Sequence, residues 1–128
     1  MKLLLDTHIA LWAITDDPKL SRKALERILA STSEIHVSAA TVWEVALKHA
    51  LKREAMPISG REALRCFREA GYDLLPITPE HCAAIEDLPL HHADPFDRIL
   101  IAQALSEPLT LLTRDTTVAS YSEAILSV

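Results

Sequence analysis

The sequence predicts an α/β domain: a mainly parallel sheet of four to five strands, covered by helices on both faces. Three observations lead there. Short, predominantly apolar runs such as Leu3-Leu4-Leu5 and Leu109-Thr110-Leu111-Leu112 alternate along the chain with segments of helical periodicity. Strands that lack a polar side belong to sheets buried on both faces, and strands that alternate with helices build parallel sheets. The chain has 128 residues, of which 49% are hydrophobic and 24% charged. That is the composition of a globular chain, and the length is that of one domain, expected to cover residues 1–128.

The elements follow in order. Lys2 to Leu5 reads as a buried strand, and about Thr7 to Ile14 as the helix after it. Asp16-Asp17-Pro18 is a turn. Ser21 caps a helix through about Ala30, with Leu25, Ile28 and Leu29 on its apolar face. Glu34 to Ser38 is a second strand leading straight into a helix from Ala39 to Leu51, which Met56-Pro57 brings to an end. Glu62 to Ala70 fits a helix closed at Gly71, where glycine takes up the left-handed C-terminal conformation. Tyr72 to Pro76 is a third strand. Thr78-Pro79 then opens a helix with a hydroxyl cap and a proline at the first helical position. After a loop from Pro89 to Ala93, Asp94-Pro95 repeats that device and opens a strongly apolar helix to about Leu105. Leu109 to Thr113 is the fourth strand, followed by a short helix around Val118 to Tyr121 and a last strand near Ala124 to Leu126.

In parallel sheets ligands bind beyond the carboxyl ends of the strands, so residues at those ends carry the functional reading. Asp6 ends the first strand, and Asp115 lies two residues beyond Thr113 at the end of the fourth. Glu44 falls in the second turn of the helix leaving the second strand, and Asp97 in the first turn of the helix opened by Asp94. All four belong to one rim. Carboxylates gathered in this way repel one another and suit a hard divalent cation, which is the usual apparatus for phosphodiester hydrolysis.

Each acid also has an ordinary role open to it. Glu44 can pair with Lys48 at i+4, although Ala40, Leu47 and Leu51 at helical spacing turn it toward the protein. Asp97 shares a face with Leu100, Ile101 and Ala104, and an acid in a first turn also favours the helix dipole. Asp6 and Asp115 are placed to cap the helices after them. Asp94, before Pro95, is most simply a cap, with support of the site as its second possible role.

Other chemistries are excluded or weakened. With only Gly60 and Gly71 as glycines, no phosphate-cradling glycine loop can be built. No GxSxG elbow occurs, and none of the six histidines forms an HxxxH or HExxH pair. His91-His92 falls in a polar loop next to Asp94, where it can stand near the site but reads first as solvated. Cys66 and Cys82 lack CxxC spacing and read as reduced, semi-buried thiols of a cytoplasmic protein. No apolar run reaches the ~20 residues of a membrane span, and the run before Asp6 is too short for a signal peptide. The net charge of −5 argues against a general nucleic-acid coat. Two basic stripes, Arg61/Arg65/Arg68 and Lys19/Lys23/Arg27, can hold phosphates or simply solvate helix faces.

Four stretches taken together resemble the PIN-domain nucleases, specifically the VapC-type toxins of bacterial toxin–antitoxin pairs. They are Leu3 to His8, Val37 to Val45, His92 to Ala104 and Leu111 to Asp115, and the third, with Asp94-Pro95-Phe96-Asp97-Arg98, is the most specific. The resemblance implies a three-layer α/β/α PIN-like fold and a magnesium- or manganese-dependent endoribonuclease. It assigns Asp6, Glu44, Asp97 and Asp115 as the catalytic, metal-binding quartet, Asp6 and Asp97 foremost, and places Ser38 and Thr113 at small hydroxyl positions near the site. It further implies an RNA substrate, a homodimer, and a cognate antitoxin whose tail covers the groove. Two rivals differ in class. A haloacid-dehalogenase-type phosphatase would need a second aspartate at position 8, which is His8. A protein-interaction module would use the acids to bind a basic tail.

Overall fold

The computed structural model describes residues 1–30, 32–52 and 54–128. Five strands, β1 (Lys2–Leu5), β2 (Glu34–Ser38), β3 (Asp73–Leu75), β4 (Thr110–Thr113) and β5 (Leu126–Ser127), form one sheet in the order β3-β2-β1-β4-β5. Every pairing is parallel. The chain walks outward from β1 through β2 to β3, returns to the other side of β1 as β4, and continues to β5. β1 and β4 are therefore neighbours whose onward connections run in opposite directions. That junction is the topological switch point, where an open parallel sheet splits to leave a crevice.

The alternation of β1 explains the layers. Leu3 and Leu5 turn to one face and Leu4 to the other, all fully buried. On the first face lie α1 (Thr7–Thr15), α2 (Arg22–Leu29), α3 (Ala39–Leu51) and α4 (Gly60–Glu69), with Ile9, Ile28, Val45 and Phe67 in that core. On the second lie α5 (Pro79–Ala84), a 3-10 turn (Ile85–Asp87), α6 (Pro95–Ser106) and α7 (Thr116–Ala119), with Leu100, Ile101, Leu111 and Val118 packed together. Burial on both faces is what the uninterrupted apolar strands require.

Several boundaries shift for local reasons. α4 begins at Gly60 rather than Glu62, because Ser59 is its cap: the Ser59 hydroxyl accepts the Glu62 N–H and donates to the Glu62 carboxylate. Gly60 also faces α3 closely, where an added Cβ would stand 2.6 Å from that of Ala46. α7 starts at Thr116, since Asp115 caps it directly. The last strand is Leu126–Ser127, starting two residues later than expected, in register with Leu112 and Thr113. On α2 the buried stripe is Ala24 and Ile28, while Leu25 and Leu29 are exposed. An i, i+4 pair is enough to seat so short a helix, so the expected face was rotated by about one residue. Cys66 is half-buried, but Cys82 is exposed. Among the described residues no helix is long and apolar enough to cross a membrane.

Candidate metal centre

Asp6 leaves β1 with its carboxylate almost entirely buried. It caps α1 by accepting the Ile9 N–H at 3.0 Å. It also takes a hydrogen bond from the Thr113 side chain, whose Oγ1 in turn accepts the Asp115 N–H at 3.0 Å. Thr113 thus ties the end of β1 to the loop after β4, across the switch point. Asp115 caps α7, its Oδ1 accepting the Thr117 and Val118 N–H groups at 2.8 and 3.3 Å. The capping roles open to Asp6 and Asp115 are both realised, and they fix where each carboxylate lies.

Glu44 is 4% exposed. Its Oε1 accepts the Thr7 hydroxyl at 2.7 Å, and its Oε2 forms an ion pair with Lys48. Both the inward orientation and the i+4 pairing are therefore present. Of the three residues expected to share its face, Ala40 is buried with it, but Leu47 and Leu51 are exposed. The inward face of α3 is instead Ala40, Thr41, Glu44 and Val45, a combination of i+3, i+4 and i+1 steps.

On α6, Asp94 is the cap, its Oδ1 accepting the Phe96 N–H at 2.8 Å and the Asp97 N–H at 3.4 Å. Asp97, in the first turn, is half-buried. His92, read first as part of a solvated loop, lies between two of the acids. Its Nε2 stands 3.1 Å from Asp97 Oδ2 and 3.2 Å from Asp115 Oδ2. Its Nδ1 accepts the Asp94 N–H at 3.1 Å, so in the neutral ring the proton belongs on Nε2, which donates to the carboxylates. The loop carrying His92 is held by Arg98, a buried cation that donates to the carbonyls of Ile85, Leu88, Pro89 and His92 and to the Tyr121 hydroxyl. A short polar run beside a proline-capped helix gave no periodic signal for either role.

Asp6, Glu44, Asp94, Asp97 and Asp115 line one cavity of about 310 Å³, together with Thr7, His8, Lys48 and Arg114. Ser38 does not line it; fully buried, it caps α3 by accepting the Ala40 N–H at 2.9 Å. Neither basic stripe reaches the cavity, and Arg65 is engaged with Glu69 on its own helix at 3.4 Å.

The crowding of negative charge is visible in the acidities. Burial, followed by the charges of Asp94, Asp6 and Glu44, pushes the Asp97 carboxyl up to about 6 against the pull of His92. Burial, with a smaller contribution from Glu44, also raises Asp6, although hydrogen bonds from Thr113 and Ile9 oppose it. At Asp115 burial works the same way but is outweighed by the Val118 and Thr117 N–H groups and by His92, so its carboxyl stays below the usual range. One candidate ligand atom each from His92, Asp97 and Asp115 lies within 4.8 Å of the others, and Asp6 and Glu44 line the same cavity without joining that group. An oxygen-rich donor set with unrelieved negative charge suits a hard divalent cation.

A family model described as "PIN domain" matches residues 3–124. No curated protein matches the chain. Among solved structures, VapBC2 from Rickettsia felis, bound to a DNA fragment from its promoter, is similar with a TM-score of 0.72 and 18% identity. The match covers 98% of this chain and 97% of that one. A toxin–antitoxin complex from Klebsiella pneumoniae is similar with a TM-score of 0.67 and 18% identity, covering 97% and 95%. FitAcB from Neisseria gonorrhoeae gives a TM-score of 0.63 and 23% identity over 96% and 94% of the two chains.

Proposed function

The chain belongs to the PIN-domain family, and from that premise we propose that it is a divalent-metal-dependent endoribonuclease acting as the VapC-type toxin of a toxin–antitoxin pair. The observation that carries this reading is the gathering of five carboxylates in one cavity at the switch point of a parallel sheet. Asp6, Glu44, Asp97 and Asp115 are the residues that would hold magnesium or manganese. When bound, such an ion polarises the scissile phosphate and lowers the pKa of an attacking water.

The chain's own groups do the positioning. Thr113 fixes Asp6 relative to Asp115, and Thr7 with Lys48 fixes Glu44 at the cavity wall. The capping bonds of Asp6 and Asp115 hold those carboxylates to helix starts, so little conformational freedom remains to be lost on binding a cation. Asp94 supports Asp97 through the start of α6. Ser38 serves the site only through the start of α3.

The similar solved structures include toxin–antitoxin complexes, which supports an antitoxin partner for this chain. A homodimer, an RNA substrate, a cytoplasmic location and a single nuclease domain over 1–128 complete the proposal. Purified protein incubated with single-stranded RNA and manganese should cut it at internal positions, and excess chelator should stop the reaction. Asp6→Asn and Asp97→Asn should each slow cleavage at least about 100-fold while the protein still melts cooperatively. Chelator-resistant cleavage, or full activity in either variant, would remove the assignment.

A further inference from the structure

The cavity wall contains three basic side chains, His8, Lys48 and Arg114, and they are not equivalent. Lys48 is committed to Glu44. Arg114 sits beside Asp115 in sequence and lines a cavity with five carboxylates, yet it is in none of the ion pairs among the described residues. Its guanidinium carbon lies 5.0 Å from the centroid of the Trp12 ring instead. His8 also packs near that indole, ring centroids 5.7 Å apart and tilted by 45°.

This placement has a chemical consequence. A guanidinium held against an aromatic ring is attracted through the ring's negative face, an interaction that leaves its N–H donors unspent. Those donors form a planar fork that matches two oxygens of a phosphodiester. An exposed arginine would ordinarily fold onto a nearby acid; the indole offers it a seat that keeps it off the carboxylates and at the mouth of their cavity. The acids repel an incoming polyanion, so a fixed cation on the rim is what a phosphate chain needs to approach them.

We propose that Arg114, seated on Trp12, is the residue that positions an RNA phosphate at this site, with Trp12 as the positioning residue that orients it. The proposal rests on the nuclease reading and names how that site takes hold of its substrate. The occupant is a phosphodiester of the RNA rather than an acidic side chain of a protein partner, because Arg114 lines the same cavity as the carboxylates expected to perform the hydrolysis.

The test is steady-state cleavage of a short single-stranded RNA in manganese, at several salt concentrations, for the parent and for Arg114→Ala, Arg114→Lys, Trp12→Leu and Trp12→Phe. Arg114→Ala should raise KM about 10-fold with kcat within about 3-fold, and the slope of log affinity against log salt should fall by about one phosphate contact. Arg114→Lys should recover only part of the loss, because the charge returns without the fork. Trp12→Leu should reproduce much of the Arg114→Ala defect and Trp12→Phe much less, and Trp12→Leu should add little on top of Arg114→Ala. Melting curves distinguish these effects from unfolding. If the parent cuts RNA and Arg114→Ala leaves KM and salt slope unchanged, the proposal is overturned while the nuclease reading stands; a protein partner then becomes the better occupant. Additive Trp12 and Arg114 effects would overturn the role of Trp12. A parent protein that neither cuts nor binds RNA would bring down both.

Discussion

The Asp97 carboxyl is pushed well above its usual range, and the sign of that shift makes a prediction about stability. An aspartate in the unfolded chain titrates near 3.9, whereas in the fold burial and the neighbouring acids push it up to about 6. The folded protein therefore holds this proton more tightly than the unfolded one. Stability contributed by the protonated carboxyl is complete below about pH 4 and is lost as pH rises to about 6. In chelator at pH 7.5, Asp97→Asn should accordingly be more stable than the parent, by about 1 kcal/mol once the shift is discounted for solvent reaching the half-buried carboxyl. The difference should fade toward pH 4. Thermal melts at both pH values check it, and a less stable Asp97→Asn at pH 7.5 would contradict the electrostatic account. The four acids were legible through their joint placement near strand ends and early helix turns rather than one by one. His92 was not, since its position follows from the path of a loop that no periodicity describes. Asp6 and Asp115 are caps and cavity walls at once.

At the scale of elements, α6 and the loop before it are a unit held together by Arg98. A buried guanidinium with no carboxylate partner among the described residues survives only because carbonyls and a hydroxyl accept its protons. Those carbonyls belong to the chain from Ile85 to His92, so Arg98 sets the path that brings His92 between Asp97 and Asp115. Arg98→Ala should cost about 2–4 kcal/mol of stability, since several buried acceptors lose a charged donor together. Denaturant titration measures the loss. A cost below about 0.5 kcal/mol would show that the loop holds its course unaided. Helix starts were read well from sequence wherever a side-chain cap announced them, as at Ser21, Thr78 and Asp94. Faces were read less well. The exposed Leu29, Leu47 and Leu51 are apolar yet lie outside the core, because what a helix buries depends on which neighbour crosses it and not on hydrophobicity alone.

For the whole molecule, the fold class followed from strands without a polar side, and the sheet order did not. Sequence gives no reason for β4 to sit beside β1 rather than beyond β3; that comes from the long connection through α5 and α6. The order matters, because placing β4 next to β1 brings Asp115 to Asp6 and creates the crevice into which α3 and α6 project Glu44 and Asp97. Isolated acids become one cavity only through this topology. The most direct measurement of that claim is calorimetric titration of manganese into chelator-stripped protein at pH 7.5. Saturable binding is expected in the parent, with a melting temperature that rises as manganese is added, in line with about 2.7 kcal/mol of stabilisation at 100 times Kd. Asp97→Asn should lose most of that affinity despite its greater stability in chelator. Absence of binding by the parent, or equal binding by Asp97→Asn, would contradict the account.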